Sequence, residues 1–177
     1  NNENETNWSL FFNGLKNRCL KGVRLVISDA HPGLVKAIEE DFPVCQWQRC
    51  QVHFKKYMLD KVRNKNKAWV KKRLDDIFLA PDKETEFERL QVFINDLSEK
   101  YPDPADLLET VGEDALTCLN FPDQHRQRIR TTNSLERFNQ EIKRRTSILR
   151  IFPNRNSALR LIGAICMEQA EEWITGR

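Results

Sequence analysis

The sequence predicts an α/β protein that is mostly α-helical, with a short pair of parallel strands and a long all-helical segment. Two short apolar runs, VRLVIS at residues 23–28 and VCQWQ at residues 44–48, are typical of buried strands. The fifteen residues between Ser28 and Val44 are enough for the crossover helix that joins parallel strands. Beyond Gln51, apolar residues recur almost throughout at helical spacing.

The pattern of residues 1–50 predicts a helix, a strand, a second helix and a second strand. Apolar residues between Trp8 and Leu20 are close to helical spacing. In the second helix Pro32 lies near the first position, where its missing N–H is tolerated. The apolar face of that helix is Leu34, Ile38 and Phe42. This part should therefore contain a β-α-β unit.

The rest of the chain predicts helices in two groups, residues 51–121 and residues 122–177. Two apolar helix faces occur in the first group: Trp69, Leu74, Ile77 and Phe78 on one, and Phe87, Leu90, Ile94 and Leu97 on the other. Breaks between helices are expected at the APD and YPDP segments. In the second group one helix should start at Asn133. Another should run from about Ser157 to Ile174, with Gly176 as its terminator.

The net charge of +3 conceals a strong segregation of charge along the chain. Residues 49–73 carry a net charge of +9 and residues 126–150 carry +6, whereas residues 75–114 carry −10. One basic block by itself usually just solvates a helix face. Two basic blocks that flank an acidic one favour a nucleic-acid partner bound on one side of the protein.

Other features of the composition exclude several classes of protein. No apolar run approaches the roughly 20 residues of a membrane-spanning helix, and the first residues do not resemble a signal peptide. The five cysteines are odd in number and irregularly spaced, which argues against a disulfide framework. We expect a cytoplasmic, nucleoid-associated protein with no membrane partner. Because the chain begins at Asn1 without a methionine, we also expect a piece of a longer product.

Asp29 directly follows the first predicted strand. In open α/β sheets, ligands gather outside the carboxyl ends of the strands, which makes Asp29 a candidate site residue. The alternative is that Asp29 simply opens a turn before Pro32.

Glu136 lies within RTTNSLERFNQEIKRR, residues 130–145, a stretch otherwise crowded with arginine and lysine. A carboxylate repels phosphate unless a divalent cation lies between the two. The predicted buried stripe of this helix is Leu135, Phe138 and Ile142, which turns Glu136 to an adjacent face. The alternative is a structural one: with Asn133 as the N-cap, Glu136 would complete a capping box.

Both acids suit two-metal phosphoryl transfer, in which carboxylates hold two Mg²⁺ ions roughly 4 Å apart. Asp29 and Glu136 could supply two of those ligands, to Mg²⁺ or to Mn²⁺.

Four motifs in order make the sequence recognisable: VISDAHPGL, FPVCQWQRCQVHF, RTTNSLERFNQEIKRRT and IFPNRNSALRLIGAICMEQAEEW. They closely resemble the C-terminal half of the catalytic domain of bacterial Mutator-type transposases, from about Gly22 to Trp173. The resemblance implies a ribonuclease H-like fold and an Asp-Asp-Glu catalytic set. By motif, Asp29 matches the second aspartate and Glu136 the glutamate. The helical insertion of that family would be residues 51–121.

The resemblance also exposes a departure, because the first catalytic aspartate of the family lies on a strand upstream of residue 1. Asp41 and Asp60 do not replace it, since neither occupies such a strand. The expectation is therefore a fragment of a DNA transposase, inactive by itself. Its parent would carry out metal-dependent cleavage and strand transfer at transposon ends.

The implied partners are DNA, at transposon ends and at the target, and further copies of the protein on that DNA. One alternative is a non-catalytic DNA-binding derivative of a transposase. A third reading is a protein-interaction module built on the helical segment.

Cys50 and His53 form a C-x-x-H pair that also matches the family pattern. Zinc uses thiolate and imidazole ligands, but a closed site needs four. With Cys45 nearby, Cys118, His125 or His31 would have to complete it. We therefore favour a buried cysteine and a hydrogen-bonded histidine, and do not expect zinc. Trp47, in the same motif, is expected to lie in the core.

Several basic residues are predicted to contact DNA phosphates. Arg126, Arg128 and Arg130 alternate, so an extended segment would place them on one side. The other candidates are Arg137, Asn139, Lys143, Arg144 and Arg145. The alternative for Arg144 and Arg145 is that they solvate the surface.

Overall fold

The computed structural model of the chain describes residues 4–149 and 151–176. Their elements are, in order, α1 (Glu5–Asn17), β1 (Leu25–Ser28), α2 (Pro32–Asp41), β2 (Gln46–Arg49), α3 (Gln51–Asp60), α4 (Asn64–Phe78), α5 (Lys83–Ser98), α6 (Pro102–Val111), two 3₁₀ turns (Glu113–Ala115 and Thr117–Asn120), α7 (Asp123–Ile129), α8 (Asn133–Ile148) and α9 (Arg155–Thr175). The prediction of a mostly helical α/β protein is confirmed. The chain forms two compact units, one ending at Thr132 and one beginning at Asn133. The predicted limits at residues 50 and 121 stay predictions.

The two strands form a parallel sheet, as predicted from the crossover length. Leu25 lies opposite Gln46, and Ser28 lies opposite Arg49. The crossover is α2, which has Pro32 in its first turn. Trp47 packs on the apolar cluster formed by α1 and α2, and its Nε1 donates a hydrogen bond to Ser28 Oγ at 2.9 Å. The predicted core position of Trp47 is therefore confirmed.

A second and larger core lies among α3, α4, α5 and α6. Its largest fully buried side chains are Phe54, Met58, Leu74, Ile77, Phe93, Leu97 and Leu108. The prediction of the α5 face is wrong for Phe87, which is 55% exposed, whereas Phe93 is only 1% exposed. The buried stripe of α5 is turned toward the side that carries Phe93 and Glu86, so Phe87 lies at its margin.

Buried amide side chains join this helical part to the strands. Gln48, on β2, accepts a hydrogen bond at Oε1 from the Cys118 N–H at 2.6 Å. Gln51, at the start of α3, donates from Nε2 to the Ala115 carbonyl at 2.8 Å. Because both amides are almost fully buried, these bonds satisfy groups that would otherwise be costly to bury. They fix the 3₁₀ turns, and hence the chain leading to α7, against the sheet.

The second unit contains α8 and α9. As predicted, α8 begins at Asn133 and α9 is terminated by Gly176, whose φ of 69° is left-handed. The predicted buried stripe of α8 is wrong in part: Leu135 is 54% exposed, and Phe138 and Ile142 are only half-buried. Within this unit α8 packs on one helix alone, with the Phe138 ring 6.1 Å from that of Trp173. One neighbouring helix cannot cover the whole stripe.

Across the described ranges, 4–149 and 151–176, no helix has the length and apolar character needed to cross a bilayer.

Candidate functional site

The carboxyl ends of the two strands define the candidate site. Asp29 follows β1 directly and is exposed. Cys50 follows β2, and its N–H donates to the Ser28 carbonyl at 2.8 Å, which holds the two strand ends together. The structure thus places Asp29 at the carboxyl ends of the strands, where open α/β sheets bind their ligands.

The chain that leads into α8 is fastened to the same edge. The Gln51 N–H donates to the Arg130 carbonyl at 3.0 Å. The Thr132 N–H donates to Cys50 Sγ at 3.5 Å, and Thr132 Oγ1 lies 3.4 Å from the same sulfur. Residues 130–132 are therefore bound to the start of α3, beside the end of β1.

Cys50 is the centre of this arrangement, and its thiol is fully buried. The prediction of a buried cysteine is confirmed, with Thr132 as the partner of its sulfur. His53 is exposed on α3. Within the part of the chain that the structure describes, no three His, Cys, Asp or Glu side chains are grouped so that they could hold a metal ion. Sequence reasoning missed Thr132, although it lies within the quoted RTTNSLERF motif.

Glu136 lies on the first turn of α8 and is exposed. It belongs to the second unit, whereas Asp29 belongs to the first. The predicted pairing of these two carboxylates around a shared ion therefore stays a prediction.

The three alternating arginines are not in an extended segment, which corrects the prediction. Arg126 and Arg128 lie in α7, and Arg130 follows its last residue. In a helix, residues two apart point in nearly opposite directions, so the three do not share a side. Arg126 is also occupied, since its guanidinium donates to the carbonyls of Phe121, Leu119 and Pro81 at 2.9 to 3.2 Å and pairs with Asp123 at 2.7 Å. Arg128 is exposed.

Two of the basic residues predicted on α8 are ion-paired. Glu141 accepts hydrogen bonds from Arg144 at 2.7 and 2.8 Å and from Arg145 at 2.6 Å. Arg145 also pairs with Glu168 of α9 at 2.6 Å. The hydrogen bonds from Arg144 and Arg145 lower the pKa of Glu141 to about 2. Arg137, Asn139 and Lys143 are exposed on the same helix.

Glu86 is a buried acid that sequence reasoning did not single out. It lies on α5 and is 8% exposed. Burial, together with the nearby charge of Glu113, raises its pKa to about 7, and Lys83 offsets this in part. The position fits the helical spacing of the α5 core, but the residue type gave no signal in so acidic a stretch.

Comparison with known proteins identifies relatives over nearly the whole chain. The family described as "Transposase, Mutator family" matches residues 1–176. The transposase for insertion sequence element IS1081 from Mycobacterium tuberculosis is 39% identical over 175 residues, 99% of this chain. The transposase for IS406 from Burkholderia multivorans is 42% identical over 99% of the chain. The transposase for IS256 in transposon Tn4001 from Staphylococcus aureus is 42% identical over 97%.

These relatives are considerably longer than the chain. The chain spans 42% of the length of the first, 45% of the second and 44% of the third. The match to the family nevertheless includes both candidate acids and the motifs around them. The chain belongs to the Mutator family of transposases.

Proposed function

We propose that the chain is the part of a DNA transposase that carries two of its metal-binding carboxylates, Asp29 and Glu136, within a ribonuclease H-like fold. One observation carries the proposal: Asp29 is exposed at the carboxyl end of β1, where Cys50 fastens the segment that leads to Glu136. Glu136 follows Thr132 by four positions. All three relatives above are transposases of insertion sequences, which supports the same function.

The donor set suits a hard divalent cation, because carboxylate oxygens are the ligands that Mg²⁺ and Mn²⁺ prefer. The Asp29 carboxylate is exposed and forms no ion pair with any residue that the structure describes. When bound between such carboxylates, the ions activate the attacking oxygen and stabilise the leaving one. Zinc has no comparable support, because Cys50 is already engaged with Thr132.

In the proposed reaction, water first hydrolyses one strand at the end of the element and frees its 3′-hydroxyl. That hydroxyl then attacks a phosphodiester of the target, and the 3′-oxygen of the cut target strand leaves as a hydroxyl. Asp29 and Glu136 would hold the ions beside the reacting phosphate. The exposed side chains of Arg137, Asn139 and Lys143 on α8 would hold neighbouring phosphates. Assembly of several copies on the DNA belongs to the same proposal.

By the same resemblance, the proposed catalytic set includes a third carboxylate upstream of residue 1. We therefore propose that residues 1–177 bind DNA but do not cleave it, whereas the same chain with the upstream strands of a relative cleaves in Mg²⁺.

The test uses that longer protein and a labelled duplex bearing the element's end. Asp29→Asn and Glu136→Gln should each reduce cleavage by at least about 100-fold in Mg²⁺, while DNA binding is retained. Asp60→Asn, an exposed acid on α3, is the matched control. Glu136→Gln also distinguishes a catalytic role from a capping role, since glutamine completes a capping box as glutamate does. Unchanged cleavage in Asp29→Asn or Glu136→Gln would refute the catalytic assignment and favour a non-catalytic DNA-binding derivative.

A further inference from the structure

A cleft in the helical part of the first unit is lined by basic residues. It has a volume of about 610 Å³ and lies where α3 ends, α4 begins and the chain turns from α5 into α6. The lining residues are Lys61, Arg63, Lys65, Asn66, Lys100 and Tyr101. Four of the six are cations and none is an acid. Neither Asp29 nor any residue of α8 is among the lining residues.

The four cations of this cleft have no carboxylate partner among residues 4–149 and 151–176. Other cations nearby do have one: Lys55 of α3 pairs with Asp75, and Arg73 of α4 pairs with Asp96 at 2.7 Å. Acids are therefore within reach of these helices, yet none is among the lining residues of the cleft. Four uncompensated cations around one concavity create a focused positive potential, which attracts an anion.

Aromatic side chains hold two of the cations without neutralising them. The Lys61 ammonium lies 4.9 Å from the centre of the Tyr57 ring, and the Lys100 ammonium lies 5.6 Å from that of Trp69. Asn66 Nδ2 donates to the Tyr101 hydroxyl at 2.9 Å. Because that hydroxyl oxygen is the acceptor, its own proton is left to donate to a further oxygen.

We propose that this cleft binds the phosphodiester backbone of DNA. A single phosphate would be greatly over-neutralised by four cations, whereas successive backbone phosphates bring one negative charge each. Backbone contact also needs no base-specific group, and the cleft offers ammonium, guanidinium and hydroxyl donors. The inference rests on the proposed function in taking DNA as the partner. It adds a contact surface in the helical segment that the candidate active site does not include.

The experiment measures binding of residues 1–177 to a random 30-base-pair duplex by fluorescence anisotropy between 50 and 300 mM NaCl. The cleft variant carries Lys61→Gln, Arg63→Gln, Lys65→Gln and Lys100→Gln. The control variant removes the same number of positive charges, one arginine and three lysines, from exposed positions elsewhere. Its substitutions are Arg18→Gln, Lys21→Gln, Lys36→Gln and Lys83→Gln. The cleft variant should bind at least about tenfold more weakly at 100 mM salt. Its slope of log K against log salt should shrink by about 3 to 4, and the control should change far less.

Equal losses in the cleft and control variants would overturn the inference, because net charge alone would then explain binding. Lys65→Gln alone should reduce the slope by about 1, which keeps the test valid if the fourfold variant folds poorly. A titration with inorganic phosphate, monitored by NMR, tests whether the cleft binds a small anion. Binding of inorganic phosphate at the cleft, together with unchanged DNA affinity in the cleft variant, would also overturn it. Failure here leaves the cleavage test of Asp29 and Glu136 untouched, so the two proposals can fail separately.

Discussion

Arg126 and Arg128 lie two positions apart on α7 but differ in their surroundings, and therefore in their expected roles. The Arg126 guanidinium donates to three main-chain carbonyls, including Pro81 of the turn before α5. It therefore ties α7 to two other segments of the first unit. Arg128 is exposed and remains a candidate for phosphate contact.

Arg126→Ala should lower the free energy of unfolding by about 1 to 3 kcal/mol, because three carbonyls lose a charged donor. Arg128→Ala should leave stability within about 0.5 kcal/mol but weaken DNA binding and reduce its salt slope by about 1. Urea denaturation and anisotropy measure the two quantities. A loss of DNA affinity in a stably folded Arg126→Ala protein would contradict this division of roles.

Glu86 predicts a pH dependence of stability. Its pKa is about 7 in the folded protein, against an ordinary value of 4.5, because burial and Glu113 disfavour the charged form. Between these values the folded state retains a proton that the unfolded state has lost. The free energy of unfolding should therefore fall as pH rises from 4.5 to 7, by an amount on the order of 1 to 3 kcal/mol, and then level off.

Glu86→Gln should remove that fall, because the amide does not ionise. The variant and the parent protein should be about equally stable at pH 5, and the variant should be more stable at pH 8. Glu88→Gln, at an exposed position on the same helix, is the control and should not change the profile in this way. Urea denaturation measures the free energy of unfolding. If Glu86→Gln and the parent differed in it by the same amount at pH 5 and at pH 8, Glu86 would not be buried as a neutral acid.

At the scale of single elements, α9 depends on a defined cap. Asn154 precedes the helix with extended backbone angles, and its Oδ1 accepts a hydrogen bond from the Ser157 N–H at 2.9 Å. Asn154→Ala should destabilise the second unit by about 1 kcal/mol. Asn156→Ala, within the first turn and exposed, is the matched control. Thermal unfolding followed by circular dichroism should show an earlier loss of helix in the first variant alone.

Element type was predictable from spacing, because helices and strands bury residues with different periods. The parallel pair followed from the crossover length between β1 and β2. Two details depended on tertiary packing instead. Phe87 is exposed because the stripe of α5 turns toward Glu86 and Phe93, and Leu135 is exposed because α8 has one neighbouring helix within its unit. A one-dimensional pattern does not contain the identity of the neighbour.

The candidate site was predictable in part. The position of Asp29 after β1 came from the strand pattern and is what the structure shows. Contacts between distant segments were not predictable, and the bond between Cys50 and Thr132 joins residues 82 apart. The helical conformation around Arg126 was missed as well, because seven residues of α7 carry no clear apolar period.

At the scale of the whole molecule, segregated charge predicts how DNA binding depends on salt. The sequence located a basic block at residues 49–73, but not which of its cations stay available. The structure divides them, since Lys55 and Arg73 are paired with acids whereas those of the basic cleft are not. In the second unit, Arg144 and Arg145 are paired, whereas Arg137 and Lys143 are exposed without a partner in the described residues.

Combining the cleft variant with Arg137→Gln and Lys143→Gln therefore tests whether both units contact DNA at once. If each cation binds its own phosphate, the reductions in salt slope add, to about 5 or 6 in total. Contacts that compete for the same phosphates would give a combined reduction smaller than the sum. A slope that is already shallow in the parent protein would favour a protein-interaction module, since association without phosphate contacts releases few counterions. Anisotropy titrations across one salt series use four proteins: the parent, the cleft variant, the Arg137→Gln and Lys143→Gln double variant, and the combination of the two. They decide among these outcomes, because additivity of the slope reports the number of phosphates neutralised and not the stability of the fold.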